Sequence, residues 1–230
     1  MEDRRVEPKQ LSPDRNNLSD SNSEFTPSDY FMLAEYEHLT EMLLYTKEVG
    51  HKRVQFWLSI VSAAGGLLAL FYQIDKGSAA FFGTALIACL ALFIVGWSIF
   101  LKLIHRTITT VEYLRGLGKI KHYFSENDGR IKKHLYFPAR DDLPSFSYNP
   151  HMMGSSLRGL VVTINSFIIA AVVAILPYFI WGEWSRLPVE IILAIAAFGV
   201  SYLAHELYAV WRFGKAQRDN DFRVCYRRDD

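Results

Sequence analysis

The chain predicts an all-α membrane protein: four transmembrane helices arranged as two hairpins, with cytoplasmic helical extensions. Three observations carry this expectation. Phe56–Ile74 and Ala79–Leu101 are apolar runs without one Asp, Glu, Lys, Arg or His, separated only by Asp75, Lys76, Gly77 and Ser78. About 20 apolar residues at 1.5 Å per residue span the roughly 30 Å hydrocarbon core of a bilayer, so the pair reads as a transmembrane hairpin. Leu160–Trp181, also uncharged, and Val189–Trp211, interrupted only by Glu190, His205 and Glu206, make a second pair.

The distribution of charge sets the expected orientation. Net charge is only +1, yet of 25 Lys and Arg only Lys76 and Arg186 fall in the short turns. Lys47, Lys52, Arg53, Lys102, Arg106, Arg158, Arg212 and Lys215 crowd the opposite ends of the spans. By the positive-inside rule both termini and the long central segment are cytoplasmic, as expected of a multi-pass protein of the inner (plasma) membrane. The polar N-terminus has no apolar core of a cleaved signal peptide, and the first span itself would direct insertion.

Six regions follow in order. Residues 1–25, rich in Ser, Asn, Asp, Arg and Pro, read as a disordered arm. Residues 26–54 read as a cytoplasmic amphipathic helix: Thr26, Pro27, Ser28 and Asp29 supply start chemistry, and Met32, Tyr36, Leu39 and Leu43 recur at helical spacing. This helix is expected to run into the first hairpin, 55–101. In 102–158 a helical stripe of Ile104, Ile108, Val111, Leu114 and Leu117 continues the second span until Gly116 and Gly118 weaken it. Ser125–Gly129 then gives a turn signal, and Pro138, Pro144 and Pro150 predict a structured loop. The second hairpin, 159–211, contains Pro177, where a kink is expected, and a charged tail, 212–230, follows.

Chemistry-bearing motifs are scarce. A Gly-rich phosphate loop, a His-Glu-x-x-His and a Gly-x-Ser-x-Gly are all missing, and seven histidines are scattered. Cys89 and Cys225 sit in environments too different to bridge. The expectation is a non-enzyme with no cofactor and no metal. Intramembrane ionisable groups are functional candidates because burial in lipid is costly, which singles out Glu190, His205 and Glu206. Glu190, in the first turn after Pro188, also suits the positive end of a helix, and Glu206 has only the distant Arg212 as a helical partner. In an oligomer His205 and Glu206 could instead ring a pore mouth. Gln55, Ser59, Ser62, Asn165 and Ser166 either line a pathway or bond between helices. Small residues four apart, Ser62 with Gly66, Gly65 with Ala69 and Ala170 with Ala174, predict close helix contacts and a homo-oligomer or tight bundle. Trp57, Trp97, Trp181, Trp184 and Trp211 read as an aromatic belt.

The central segment interleaves bases and aromatics: Lys119, Lys121, His122, Tyr123, Arg130, Lys132, Lys133 and Arg140, with Phe124, Tyr136 and Phe137 among them. Cations beside stacking faces suit a nucleotide or oligonucleotide. Positive-inside bias and attraction to membrane lipid account for the same cations.

Glu48–Phe71, Glu-Val-Gly-His-Lys-Arg-Val-Gln-Phe-Trp-Leu-Ser-Ile-Val-Ser-Ala-Ala-Gly-Gly-Leu-Leu-Ala-Leu-Phe, resembles small prokaryotic membrane effectors of the SLATT type. In that pattern an amphipathic helix runs through basic residues into a two-span hairpin and a long cytoplasmic helix follows. The similarity covers about Tyr30 to Phe124, and the second hairpin is a departure from it. The resemblance implies antiviral defence: oligomerisation into an ion-conducting pore when a partner enzyme makes a nucleotide signal. The alternative is a membrane scaffold or sensor that recruits a soluble cytoplasmic partner, for example a defence protein.

Overall fold

The computed structural model describes residues 26–75, 78–127, 133–135, 139–146, 156–181, 187–221 and 223. Among these the chain is all helical, with α1 at Pro27–Ile74, α2 at Ala79–Asn127, α3 at Leu157–Trp181 and α4 at Leu187–Asp221. All four are long and apolar enough to cross a membrane, and the chain is a multi-pass membrane protein. The arm at 1–25, the turn residues Lys76 and Gly77, the second turn at 182–186, and the tail beyond Asp221 apart from Arg223 lie outside the described residues.

α1, α2 and α3 begin where the sequence supplies an acceptor for the free N–H groups of the first turn. Thr26 caps α1 through a reciprocal pair: Asp29 N–H donates to Thr26 Oγ1 at 3.3 Å and Thr26 N–H donates to Asp29 Oδ2 at 2.9 Å. Ser78 caps α2 by accepting from Phe81 N–H at 3.1 Å, and Ser156 caps α3 by accepting from Gly159 N–H at 3.1 Å. Because neither α1 nor α2 breaks at the edge of its apolar run, both are far longer than a span. With 48 and 49 residues at about 1.5 Å each, they are roughly 70 Å rods, more than twice the hydrocarbon thickness.

The expected weakening of α2 at Gly116 and Gly118 does not occur. The helix runs on to Asn127, and the glycines serve close approach. A Cβ on Gly118 would overlap the Arg140 carbonyl oxygen, and one on Gly116 would lie 3.1 Å from Leu39 Cδ1. Pro177 lies inside α3, which continues to Trp181.

Successive helices pack antiparallel: α1 on α2, α2 on α3 and α3 on α4. Phe71 meets Phe81 at 5.9 Å, Phe82 meets Tyr178 at 4.2 Å and Phe167 meets Phe198 at 4.8 Å between ring centroids. Completely enclosed apolar side chains concentrate at the charged end of the spans: Val54 and Trp57 of α1, Phe100 and Ile104 of α2, Val161 and Val162 of α3, and Ala209 of α4. Trp57, expected in a belt at the lipid boundary, is instead 0% exposed, since α2 at Gly96 and α3 at Asn165 close around its ring. The faces of α1 and α4 at the other end are open, with Leu67, Leu70, Ile191, Ile192 and Ile195 exposed.

The Asp29 carboxylate is held below its ordinary value, first by the Thr26 N–H and then by the Thr26 hydroxyl. A depressed value means that the cap's contribution is complete above the unfolded-state value near 3.8 and is lost as pH falls through the lower folded-state value. Amide exchange at residues 28–30 should therefore accelerate on acidification below that range. Thr26→Ala should raise the same rates about fivefold at neutral pH, as read by hydrogen exchange with mass spectrometry.

Candidate functional site

Two polar assemblies stand out, one inside the spans and one beyond them. The first forms because α3 and α4 face each other with polar side chains where both are otherwise apolar. His205 Nδ1 donates to the Ser201 carbonyl at 2.7 Å, one turn earlier. A carbonyl can only accept, so the proton sits on Nδ1 and Nε2 is left to accept from Asn165 Nδ2 at 3.5 Å. Ser166 Oγ donates to Ser201 Oγ at 3.4 Å beside them. Trp97 and Phe100 close over the imidazole, both with ring centroids at 4.9 Å and edge-on geometry. His205 is thus 2% exposed and Asn165 0%.

Gly96 of α2 makes this junction possible. A Cβ there would overlap Asn165 Oδ1 and come within 2.9 Å of the Trp57 ring, so α2 and α3 meet only because residue 96 has no side chain. Asn165 Oδ1 and Trp57 Nε1 are both buried and make no hydrogen bond among the described residues. They are the polar groups around which the junction is least satisfied.

Glu206 faces Arg158 of α3, Nη2 to Oε2 3.9 Å, and not Arg212 of its own helix. The separation along α4 puts Arg212 out of register, while antiparallel packing brings Arg158 level with Glu206. Glu190 is buried at the other end of α4, away from this group, and its Oε2 has no partner among the described residues. Ser62 is apart again, exposed on α1.

The second assembly is organised by Arg115, a residue that helical spacing places merely off the apolar stripe. It is 6% exposed. Its Nε donates to the Pro144 carbonyl at 3.1 Å, and its Nη2 donates to the Asp142 carbonyl and to Gln217 Oε1, both at 3.2 Å. The guanidinium also lies 4.4 Å from the centroid of the Phe146 ring. Gln217 Oε1 accepts from Phe146 N–H at 2.9 Å as well. One side chain of α2 therefore binds the 139–146 segment and α4 together. Burial pushes the guanidinium below its ordinary value, opposed by the carboxylates of Asp221, Asp142, Asp141 and Glu112. Its intrinsic basicity is high enough that it keeps its charge.

The basic and aromatic residues of the central segment separate into two groups. Lys119, His122 and Arg140 gather around the 139–146 segment and are engaged within the chain. Lys119 Nζ lies 3.5 Å from the buried Asp141 carboxylate, His122 Nδ1 lies 3.2 Å from the Ala139 carbonyl, and Arg140 binds Asp142 through Nε at 2.8 Å and Nη2. Tyr123 turns the other way and donates to Asp29 Oδ1 of α1 at 3.3 Å. Lys121 and the exposed Lys133 are not drawn into this group, and Arg130 and Lys132 lie outside the described residues. A cleft of about 240 Å³, lined by Arg115, Lys119, Arg223, Glu112 and Asp141 among others, opens beside Arg115 with mixed charge. Among the described residues no group of His, Cys, Asp and Glu is arranged to hold a metal.

Comparison of the chain with protein-family models, with curated proteins and with solved structures finds no match. Function therefore has to be read from the residues themselves.

Two outcomes follow from these contacts. Arg115→Gln should expose the 139–146 segment to protease and to hydrogen exchange, with a loss of about 2 kcal/mol in local stability. Arg115→Lys should fare little better, since a point charge cannot reproduce a fork spread over two carbonyls and an amide. Within the spans, a double-mutant cycle of Asn165→Leu and His205→Phe, followed by unfolding in bicelles, should return a coupling of about 0.6 kcal/mol, up to ~1.7.

Proposed function

We propose that this protein is a homo-oligomeric membrane effector that forms or gates an ion-conducting pore in response to a signal received on the charged side of its spans. That side is the cytoplasm, so α1–α2 and α3–α4 form two transmembrane hairpins whose long inner helices extend from the bilayer. One observation carries the reading. Gln55, Ser59, Ser62, Gly66, Ala69 and Gln73 recur at four-three-four-three-four spacing down the first span and are all exposed in the single chain. They form a polar and small-residue stripe on a helix that otherwise shows Phe56, Leu67, Leu70 and Ile74 to lipid.

Ser59 satisfies its hydroxyl on the Gln55 carbonyl at 3.1 Å, but the side chains of Gln55, Ser62 and Gln73 have no partner among the described residues. Hydrocarbon offers no hydrogen bonds, so such a stripe is stable against other copies of α1 or against water, and not against lipid tails. A ring of α1 helices satisfies both conditions, with the small residues permitting close approach and the polar ones facing an aqueous axis. In this reading Ser62 is a lining residue, while His205, Asn165, Glu206 and Glu190, enclosed within the protomer, serve gating. The α1–α2 rods and the Arg115-bound segment transmit the signal. A role in antiviral defence, with a nucleotide as the signal, rests on the resemblance of Glu48–Phe71 alone.

A second reading, a scaffold that recruits a soluble partner, is favoured by the apolar surface of α1 well before its span: Tyr30, Phe31, Leu33 and Leu44 are 45–68% exposed. Cysteine accessibility separates the two. In liposomes, Ser62→Cys and Ser59→Cys should become reactive to a charged methanethiosulfonate only when the protein conducts, and modification should block the current by roughly half or more, whereas Leu67→Cys should stay inert. Absence of conductance in every liganded and oligomeric state tried would sink the pore.

A further inference from the structure

We infer that the cleft between α1 and α2 at the charged end of their spans is a binding site for the phosphate of an anionic phospholipid headgroup. The inference rests on this cleft and not on the pore reading. The cavity is about 440 Å³, in the range of small-molecule sites, and Arg53, Lys102, His105 and Arg106 line it with Tyr45 at the rim. Among the described residues no carboxylate lines it, whereas two other clefts near the charged end contain Glu112 with Asp141 or Asp219.

The four basic side chains have no ion-pair partner among the described residues, although Lys52, one position from Arg53, is paired with Glu48 at 2.6 Å. An excess of positive charge at a span end is expected of any membrane protein. What is not expected of a generic excess is a fitted seat. Arg106 lies over Gly50, which is buried, and a Cβ on residue 50 would overlap its Nη1, Cζ and Nε. The guanidinium is thus partly withdrawn from water on the α1 side, and burial pushes it below its ordinary value, without an anion among the described residues to offset the cost.

Position selects the source of that anion. Arg53 precedes Phe56 by three residues and Lys102 follows Leu101 directly, so the cleft starts at the level where hydrocarbon gives way to headgroups. Guanidinium forks match the paired oxygens of a phosphodiester, and basic pockets between spans at this level suit lipid headgroups. Leu101, the last residue of its apolar run, brings the wall of the cleft to the edge of the hydrocarbon.

The test uses the full chain in phosphatidylcholine nanodiscs with phosphatidylglycerol as a minor component, and counts retained lipid by native mass spectrometry. Phosphatidylglycerol should be retained in preference to phosphatidylcholine. Arg106→Gln should weaken its retention about fivefold to tenfold. Gly50→Ala, which removes no charge, should do the same by displacing the guanidinium, and Lys215→Gln at the end of α4 should leave retention unchanged. The site is overturned if Lys215→Gln weakens retention as much as Arg106→Gln, or if Arg106→Gln retains the lipid in full. It is also overturned if inorganic pyrophosphate binds the delipidated protein in an Arg106-dependent way while phosphatidylglycerol is not enriched, which would assign the cleft to a soluble phosphate. Should Gly50→Ala fail to assemble, Arg106→Gln against Lys215→Gln decides alone.

Discussion

Hydrocarbon supplies no hydrophobic drive between helices, so four spans stay together only where side chains enclose one another and the few polar groups find partners. That condition is met at one level, where Trp57, Phe100, Val161, Val162 and Ala209 are sealed and the Asn165–His205 pair lies against Trp97 and Phe100. Gly96 sets the distance of closest approach there. Everything else about the arrangement depends on that junction: α2 becomes the central rod, α1 is attached along one side of it, and α3–α4 along the other. Because closure is local, the opposite ends of α1 and α4 keep open faces, and the polar stripe of α1 is on such a face.

Beyond the spans, a single cation takes over the role that packing has within them. Arg115 satisfies carbonyls at Asp142 and Pro144, shares Gln217 with the Phe146 amide and stacks on the Phe146 ring. A segment of eight described residues without helix or strand is thereby held against two helices. The rod of α2 thus carries both the membrane junction and the extramembrane clamp, with Arg106 and its cleft midway between Phe100 and Arg115. One continuous helix therefore joins the clamp to the membrane boundary.

Several features were readable from residue order because they depend on neighbours in the chain. The apolar runs, the Thr26–Asp29 cap and the continuation of the amphipathic helix into the first span are of this kind. Features that depend on what lies opposite were not. Trp57 has the composition of a belt residue and becomes a core residue because Gly96 and Asn165 converge on it. Gly116 and Gly118 look like helix breakers, yet they are contact points, because Leu39 and the Arg140 carbonyl approach them. Arg115 is set apart by having the Pro144 and Asp142 carbonyls and Gln217 within reach of one guanidinium, and no spacing in the sequence announces that. The Gln55–Gln73 stripe was partly visible as separate polar residues, and a count by helical register would have joined them.

The sequence by itself determined that this is an all-helical multi-pass protein and where its spans lie, since the hydrocarbon core responds to the length and composition of single segments. Only the tertiary structure decided which polar residues are enclosed and which are presented. Asn165 and His205 meet across antiparallel helices, Glu206 finds Arg158 in preference to Arg212, and Arg106 settles over Gly50. The physical reason is that enclosure and pairing are properties of two surfaces in register, and the register between helices is set by close contacts such as those at Gly50 and Gly96, which only packing brings about.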